Sequence, residues 1–494
     1  MTLPLAAAKK EKPGSGLGFW MQRVLEECDH AGIELAPDPV HDLRVALRRC
    51  RSMADGLMAI DPDPTWKQMK KAGRRLFRRL GELRDFQVME EWVRRLGASD
   101  DPVTQRLLQF FAGREFQLKQ EAAAALQEFD RKQWARWSVV LSRRAAKIRN
   151  GSAIFKHLAL ERWTEAHALH RLALRNRSRT AWHNLRIGIK RFRYIVENFL
   201  PDLHNSWRDD LKELQDLLGE VHDLDVLWAT ALQIRAYPNS DSRDHWHGKV
   251  TAERGERIEK YRSKMLGENS LWQKWRAELP SGKEIESAAL SRLKLWGALL
   301  DPDTRHATHV ARLALQLYDG LPVTRLTEAE SKRQRLILQV AALLHDVGRS
   351  QKGANHHKAT FSLLRQLKPP LGWTSEAMLI AGAAARYHRG ALPQAGQKTM
   401  AAFTPVQRET IRRLGGILRL ANAMDAERDG RIQRARIHEQ NGFLVLAAQG
   451  YSACDRLAEK ISAGRHLLET VCRKPILVKP LRPERVLATK ANHR

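Results

Sequence analysis

The chain has 494 residues, too many for a single hydrophobic core, so we expect two or three domains. With 43% hydrophobic and 29% charged residues it has a globular composition, which excludes wholesale disorder, and no apolar run approaches the roughly 18 residues of a membrane-spanning helix. The net charge of +29 favours a polyanionic partner such as nucleic acid, an anionic membrane or a phosphate polymer.

The first residues of the chain carry no targeting signal that we recognise. The apolar stretch at residues 3–8 is too short for a secretory segment, and lysines follow it instead of preceding it. We expect a disordered tail over residues 1–15, a cytoplasmic protein and no membrane association. The four cysteines form no Cys-x-x-Cys pair, so a disulfide framework and a thiolate zinc site are not expected.

The N-terminal half contains an internal repeat. The segment HDLRVALRRCR at residues 41–51 recurs as HNLRIGIKRFR at residues 183–193. The segment LGELRDFQVM at residues 80–89 recurs as LGEVHDLDVL at residues 218–227. Order and approximate spacing agree, so we interpret residues 16–270 as two copies of one helical unit.

Cations recur at helical spacing within each copy of the repeat. Apolar residues at i, i+4 and i+7 predict amphipathic helices, and basic residues at i, i+3, i+7 and i+10 follow another side of each helix. The first row is His41, Arg44, Arg48 and Arg51, the second is His183, Arg186, Lys190 and Arg193, and a following helix of the first copy adds Lys71, Arg74 and Arg78. Like charges at this spacing repel, and a bound phosphate polymer would neutralise them. The alternative is a solvated charged surface.

These repeated segments resemble the CHAD family over residues 16–270. Members are antiparallel helical bundles of two similar halves around a basic channel, associated with inorganic polyphosphate. The resemblance implies that the basic rows line this channel and bind polyphosphate. The second copy departs from the first, because residues 211–219 are acidic where the first copy is basic. The symmetry of the channel therefore stays open.

Histidines and aspartates collect in the C-terminal half, beyond a linker expected at residues 271–289, where GENS and LPSG supply turn residues. His306 opens an amphipathic helix, an apolar helix at residues 336–344 ends in His345 and Asp346, and a helix at residues 414–424 delivers Asp425. Such groups at buried helix ends are costly unless they are paired or bind a metal. Two histidines and two aspartates suit manganese, iron or magnesium, which would activate water and polarise a phosphoryl oxygen. The alternatives are that these residues only cap helices, or that His309 replaces His306 as the first ligand.

The order H…HD…D resembles the HD superfamily of metal-dependent phosphohydrolases. Over residues 290–480 it is most similar to the HD-like region of the exopolyphosphatase and guanosine pentaphosphatase (Ppx/GppA) family, through HATHVARLA, ALLHDVG, HHK and ARYHRGALP. This resemblance implies metal ligands at His306, His345, Asp346 and Asp425, with His357 and His388 for a second ion. It implies catalytic roles for His345, Asp346, Arg386 and His388, and phosphate contacts for Arg349, Lys352, Lys358, Arg386 and Arg389. We find no actin-like ATPase domain with Gly-rich phosphate loops, so hydrolysis would depend on the H…HD…D residues.

The remaining C-terminal pattern predicts a small α+β end. Strands at residues 431–437 and 443–448 flank an Asn-Gly turn typical of a β-hairpin, and a helix at residues 455–472, a strand at 476–478 and a basic tail at 481–494 follow. The expected fold is mainly α: a two-fold-repeated antiparallel helical bundle plus an HD-like helical domain.

The expected function is binding of inorganic polyphosphate combined with metal-dependent phosphohydrolysis of polyphosphate or a phosphorylated nucleotide, in the cytoplasm or on polyphosphate granules. One alternative is a non-catalytic polyphosphate-binding scaffold or sensor with an inactive HD-like domain. Another is a nucleic-acid-binding protein, which the charge favours but which lacks the stacking aromatic platforms expected for single strands.

Overall fold

The computed structural model describes residues 16–33, 35–322, 326–351 and 355–481. The chain divides into two compact units, residues 1–284 (unit 1) and 285–494 (unit 2), and this division falls within the range expected as a linker. The tail expected over residues 1–15, Lys352 and all but residue 481 of the expected basic tail lie outside the described residues. Within them, no helix has both the length and the apolar character required to cross a bilayer.

Unit 1 is helical throughout its described residues. Its helices are α1 (Leu17–Ile33), α2 (Pro37–Met58), α3 (Thr65–Ala72), α4 (Arg74–Leu96), α5 (Pro102–Gln127), α6 (Arg131–Ala145), α7 (Ala153–Asn176), α8 (Arg179–Phe199), α9 (Pro201–Gln233), α10 (Ser240–Met265) and α11 (Leu271–Ala277). Asp101 and Ser178 cap α5 and α8 by accepting hydrogen bonds from backbone N–H groups of the first turn. The mainly α-helical fold predicted from the sequence is confirmed.

The packing of unit 1 repeats in its two halves. Helix α1 packs against α2 and α6, as α7 packs against α8 and α11, and α4 packs against α5 as α9 packs against α10. Helices α2, α8, α9 and α4 contact one another in a closed order and form the centre of the unit. In the second half, α9 takes the place of both α3 and α4, which are separated at Gly73, where an added Cβ would lie 3.3 Å from the Trp134 ring.

The predicted apolar stripes form the core between these helices. Leu43, Leu47 and Cys50 of α2 and Leu185, Ile189 and Phe192 of α8 are all completely buried. Helix α11 lies in the range expected as a linker. Trp272 and Trp275 of this helix are buried, and Trp275 packs against Trp207 and Phe192. Burial of two indole rings explains why this segment is an ordered helix.

Unit 2 combines helices with a small sheet. Its helices are α12 (Lys283–Leu300), α13 (Thr304–Gly320), α14 (Glu328–Leu343), α15 (His356–Gln366), α16 (Ser375–Arg386), α17 (Lys398–Ala401), α18 (Pro405–Met424) and α19 (Arg456–Cys472), with a 3-10 turn at Val347–Ser350. Helix α18 is central, since it packs against α13, α14, α16 and α19. Capping boxes at Thr327 and Thr404 define the starts of α14 and α18.

The predicted hairpin is present in the sheet of unit 2. Strand β1 (Ala435–Gln440) pairs antiparallel with β2 (Phe443–Ala448), which pairs parallel with β3 (Ile476–Pro480). Asn441 and Gly442 have φ of 50° and 80°, as the two-residue hairpin turn requires. The first strand begins at residue 435, four residues later than the predicted start.

Candidate functional sites

The two predicted cationic rows come together at the centre of unit 1. Arg44 and Arg48 on α2 and Arg186 and Lys190 on α8 form what we name the central cation cluster, and α2 packs directly against α8. Burial and the three arginines of the cluster lower the pKa of Lys190 to about 8. Burial also lowers the pKa of Arg44, and Arg48 lowers it further. The cluster is therefore a concentrated positive field.

Two aspartates that the sequence analysis assigned no role also face this cluster. Asp85 on α4 and Asp223 on α9 occupy the same position of the repeated LG-x-x-x-D segment. The Arg44 guanidinium lies 3.5 Å from Asp85 Oδ1. The repeated motif could have singled out these two aspartates in the sequence. It could not identify their cationic partners, because those belong to other helices.

The remaining members of the rows lie around the central cation cluster. Arg51 donates to the Lys70 carbonyl at 2.7 Å and lies over the Phe77 ring, and Arg193 lies 3.7 Å from Glu197. The His183 and His222 Nδ1 atoms are 3.4 Å apart. His41 is exposed, as are Lys71, Arg74 and Arg78 on α3 and α4.

The acidic departure of the second copy is visible on α9. Asp209, Glu213, Asp216 and Glu220 line one shallow surface depression together with Lys212 and Leu217. By the repeat, Lys71 and Arg78 correspond to Asp209 and Asp216. The basic surface around the central cation cluster consequently continues over α3 and α4 but not over α9.

Five side chains of unit 2 form a second site, which we name the histidine–aspartate cluster: His306, His345, Asp346, His356 and His388. Its nitrogen and oxygen atoms form two overlapping groups that could hold metal ions, His306–His345–Asp346 and Asp346–His356–His388, with the atoms of each group within 4.8 Å of one another. Asp346 belongs to both groups. Its Oδ1 lies 3.7, 3.3 and 3.8 Å from the Nε2 atoms of His345, His356 and His388.

Helix ends position these side chains. His345 follows α14 and His388 follows α16, and the Nδ1 of each donates to a carbonyl three residues earlier, that of Ala342 at 2.7 Å and that of Ala385 at 2.6 Å. This hydrogen bond places the proton on Nδ1 and leaves an Nε2 lone pair directed at the cluster. Burial lowers the pKa of both histidines, so both are neutral and suited to a metal ion.

Nε2 atoms face one another in both groups. The His345 and His306 Nε2 atoms are 3.3 Å apart, and those of His356 and His388 are 3.4 Å apart. His306 Nε2 also lies 3.1 Å from Asn422 Oδ1. A cation placed between the facing nitrogens would accept the Nε2 lone pairs of His345 and His388. The donor set therefore fits a divalent cation that accepts imidazole and carboxylate ligands.

Asp346 is held by two guanidinium groups. Its Oδ2 accepts from Arg349 Nε at 2.9 Å and from Arg428 Nη2 at 2.6 Å. Burial acts to raise the pKa of Asp346, but His345, His388, Arg349 and Arg428 together bring it well below its usual range, so the carboxylate is ionised. Arg428 also pairs with Asp303, the cap of α13. Sequence patterns missed Arg428, which has a left-handed φ of 59° in a non-helical segment.

Asp425 lies behind His306 instead of within either ligand group. His306 Nδ1 donates to Asp425 Oδ2 at 2.7 Å, and Asp425 Oδ1 accepts from the Gly430 N–H at 3.0 Å. Asp425, predicted as a ligand, therefore contacts His306 directly, and a carboxylate hydrogen-bonded to a histidine in this way fixes the orientation of its ring. His309 belongs to neither group, since its Nδ1 accepts from Arg312 one turn away.

Two further predicted site residues, His357 and Arg386, have other surroundings than the sequence suggested. His357 was expected beside His388, but His356 lies there, because adjacent residues of α15 diverge by about 100° around the helix. Arg386 was expected beside the reacting phosphate, but its guanidinium lies over the Tyr387 ring at 5.6 Å and makes no described contact with Asp346. Arg349 and Arg428 contact Asp346 instead.

Gly348 allows α15 to approach the cluster. An added Cβ would lie 2.0 Å from the His356 carbonyl oxygen and 2.6 Å from the Thr360 nitrogen. Thr360 Oγ1 accepts from the Gly348 N–H and donates to the His345 carbonyl, at 3.0 and 2.9 Å. The glycine of the HDVG segment is therefore required for close packing.

Comparison with known families finds a match within each unit. The model described as CHAD domain matches residues 23–232, and the model described as Ppx/GppA phosphatase, domain III, matches residues 295–458. Among solved structures, the crystal structure of the CHAD domain from the plant Ricinus communis is 22% identical, covering 55% of this chain and 89% of that one, with a TM-score of 0.35. Comparison with curated proteins gave no match.

Proposed function

We propose, from the matches to the CHAD domain and to Ppx/GppA phosphatase, domain III, that unit 1 binds inorganic polyphosphate and unit 2 is a metal-dependent phosphohydrolase. The observation that carries the first part is the convergence of both basic rows in the central cation cluster. The observation that carries the second part is the pair of overlapping donor groups that share Asp346.

A polyanion would complete the central cation cluster. Among the described residues, Arg48, Arg186 and Lys190 form no ion pair or hydrogen bond. Close cations repel one another, and phosphate oxygens accept from guanidinium and ammonium groups. The Phe77 ring beside the cluster is covered by Arg44 and Arg51, so it offers no stacking platform to a base. This favours a phosphate polymer over single-stranded nucleic acid.

The binding test uses charge reversal in the full-length protein. A variant with Arg44, Arg48, Arg186 and Lys190 all changed to Glu is expected to lose retention of long-chain polyphosphate. A control variant reverses the same number of charges on α5 and α10, at Arg106, Arg114, Arg243 and Lys260, and should keep most of it. Equal retention by both variants would contradict the proposal, and tighter binding to duplex DNA at the same salt concentration would favour nucleic acid.

In unit 2, His306, His345 and Asp346 would hold one divalent cation, and Asp346, His356 and His388 a second. Such a cation lowers the pKa of a bound water and polarises a phosphoryl oxygen. Arg428 and Arg349 hold Asp346 Oδ2 and keep Oδ1 toward the histidines. Their remaining N–H groups are suited to a phosphate anion, so a phosphoanhydride of polyphosphate or of a phosphorylated nucleotide is the proposed substrate.

A non-catalytic scaffold or sensor is the second candidate. It is favoured by the same two arginines, because they already neutralise Asp346 without a metal ion. Metal analysis of the purified protein, combined with phosphate release from polyphosphate, a guanosine polyphosphate and a deoxynucleoside triphosphate in manganese, separates the two. Bound metal without release from any of these substrates would support the scaffold.

A further inference from the structure

Asp85 and Asp223 are equivalent acids at the centre of a basic site. Each follows the Leu-Gly pair of its repeat copy by the same interval, on α4 and on α9. Helix α4 packs against α2, and α9 packs against α8, so each acid lies on a helix that adjoins one cationic row. The repeat has thus placed one carboxylate opposite each row.

Asp85 interacts with cations from both copies of the repeat. Arg44 of α2 is its ion-pair partner at 3.5 Å, and Arg186 and Lys190 of α8 also act on it electrostatically. Its side chain is 68% exposed. An anion arriving from solvent can therefore reach the same cations and replace the carboxylate.

Asp223 is more enclosed and shares these partners. It is half-buried, and Arg186 and Lys190 are the cations that act on it, while Asp85 and Glu220 repel it. Among the described residues it forms no ion pair or hydrogen bond of its own. The two acids thus neutralise cations that a polyanion would need.

We propose that Asp85 and Asp223 are built-in counter-ions, which compete with a bound polyanion for Arg44, Arg186 and Lys190 and make polyanion affinity depend on pH. This inference rests on the proposed polyphosphate binding by unit 1. It assigns the repeated aspartate a role in setting affinity instead of in holding the helices together.

The direction of the pH dependence follows from the neighbouring groups. Burial raises the pKa of Asp223 to about 6, against the opposing effect of Arg186, so its negative charge is lost below that pH and polyanion affinity rises. Lys190, with its pKa lowered to about 8 by burial and the arginines, loses its positive charge above that pH, and affinity falls. Burial and Arg186 lower the pKa of His222 to about 4, so it stays neutral in between.

Other charged or titratable groups facing these acids come from all four central helices. They are Arg44 and Arg48 on α2, Glu82 and Arg84 on α4, His183, Arg186, Lys190 and Tyr194 on α8, and Glu220 and His222 on α9.

The test compares two double variants of the full-length protein. Asp85→Asn with Asp223→Asn removes the counter-ions and keeps side-chain shape. Asp209→Asn with Asp244→Asn removes the same charge from residues 91% and 68% exposed, outside the cluster. Long-chain polyphosphate affinity is measured at pH 5.5, 6.5, 7.5 and 8.5 at constant ionic strength, and a matching circular dichroism spectrum confirms folding.

We expect the wild-type protein to bind more weakly at pH 7.5 than at 5.5. At pH 7.5 the Asp85/Asp223 variant should bind more tightly by about fivefold for each carboxylate removed, with little change between pH 5.5 and 7.5. The Asp209/Asp244 variant should follow the wild-type profile.

Three results overturn the inference, and they separate it from the proposed function. If the wild-type protein binds but the Asp85/Asp223 variant gains no more than the Asp209/Asp244 variant, the counter-ion role is wrong and polyphosphate binding stands. If the Asp85/Asp223 variant keeps the wild-type slope, another group titrates and the inference fails in the same way. Absence of binding by all three proteins at every pH overturns both.

Discussion

Asp346→Asn is the most informative single substitution in unit 2, because Asp346 belongs to both ligand groups. The amide keeps the size of the side chain but loses the negative charge that Arg349 and Arg428 contact at 2.9 and 2.6 Å. Breaking a buried ion pair from one side costs about 3–5 kcal/mol. Arg349 and Arg428 are 42% and 27% exposed, and water will screen them, so we expect about 1–3 kcal/mol.

The metal response of the same variant tests the ligand assignment. A cation at 100 times its dissociation constant stabilises the folded state by about 2.7 kcal/mol, and the wild-type melting temperature should rise accordingly. Asp346→Asn should lose this rise because both groups lose their shared oxygen. The assay is thermal unfolding with and without manganese, iron, zinc or magnesium, together with metal content by mass spectrometry.

Asp425→Asn is the matched control for this experiment. It changes the same chemical group next to the histidine–aspartate cluster but keeps every member of both ligand groups, since Asp425 contacts His306 Nδ1 from behind. We expect metal affinity to fall by about 10- to 100-fold without being abolished. An Asp346→Asn protein that keeps the wild-type metal shift would refute the assignment, and so would a wild-type protein without any shift.

Four further substitutions, one of them with a matched control, test local features. His356→Gln should lower the number of bound metal ions from two to one, whereas His357→Gln should leave it at two. The reverse pattern in metal analysis would favour His357, the ligand predicted from the sequence. Gly348→Ala should destabilise unit 2 by about 1–3 kcal/mol in urea unfolding, because its Cβ would lie 2.0 Å from a carbonyl oxygen. Gly219→Ala, with no atom within 4 Å of its Cβ, should instead stabilise unit 1 by about 0.5–1 kcal/mol. Burial lowers the pKa of His170 to about 4, so the unfolded chain takes up a proton at this residue before the folded protein does. The neutral His170 ring therefore contributes fully to stability above about pH 6.5, and this contribution is lost as the pH falls to 4. His170→Gln should flatten the pH dependence of the free energy of unfolding in urea over that range.

The helical framework was predictable because periodicity is a local property. The apolar stripes of α2 and α8, such as Leu47 and Ile189, and the repeat of both segments determine which faces are buried. The roles of Asp85 and Asp223 were not predictable in this way. Their cationic neighbours lie on helices that pack against α4 and α9 but are distant in sequence.

The histidine–aspartate cluster was predicted in part, for a related reason. His306, His345 and Asp346 mark helix starts and ends, which sequence patterns locate well. The choice between His356 and His357 depends on where the first turn of α15 begins, and a shift of one residue rotates the other ring toward the cluster. Arg428 lies in an irregular segment without a period, so no pattern could assign it.

The charges around Asp346 affect the binding of metal ions and the binding of a phosphorylated substrate together. Near the histidine–aspartate cluster, the three carboxylates of Asp303, Asp346 and Asp425 exceed the two guanidinium groups of Arg349 and Arg428 by one negative charge, while burial keeps His345 and His388 neutral. Two divalent cations would therefore add more positive charge than these groups offset. A phosphate anion would offset it, and it would meet the arginine N–H groups at the same time. Metal ions and a phosphorylated ligand should consequently bind unit 2 more tightly together than either does alone.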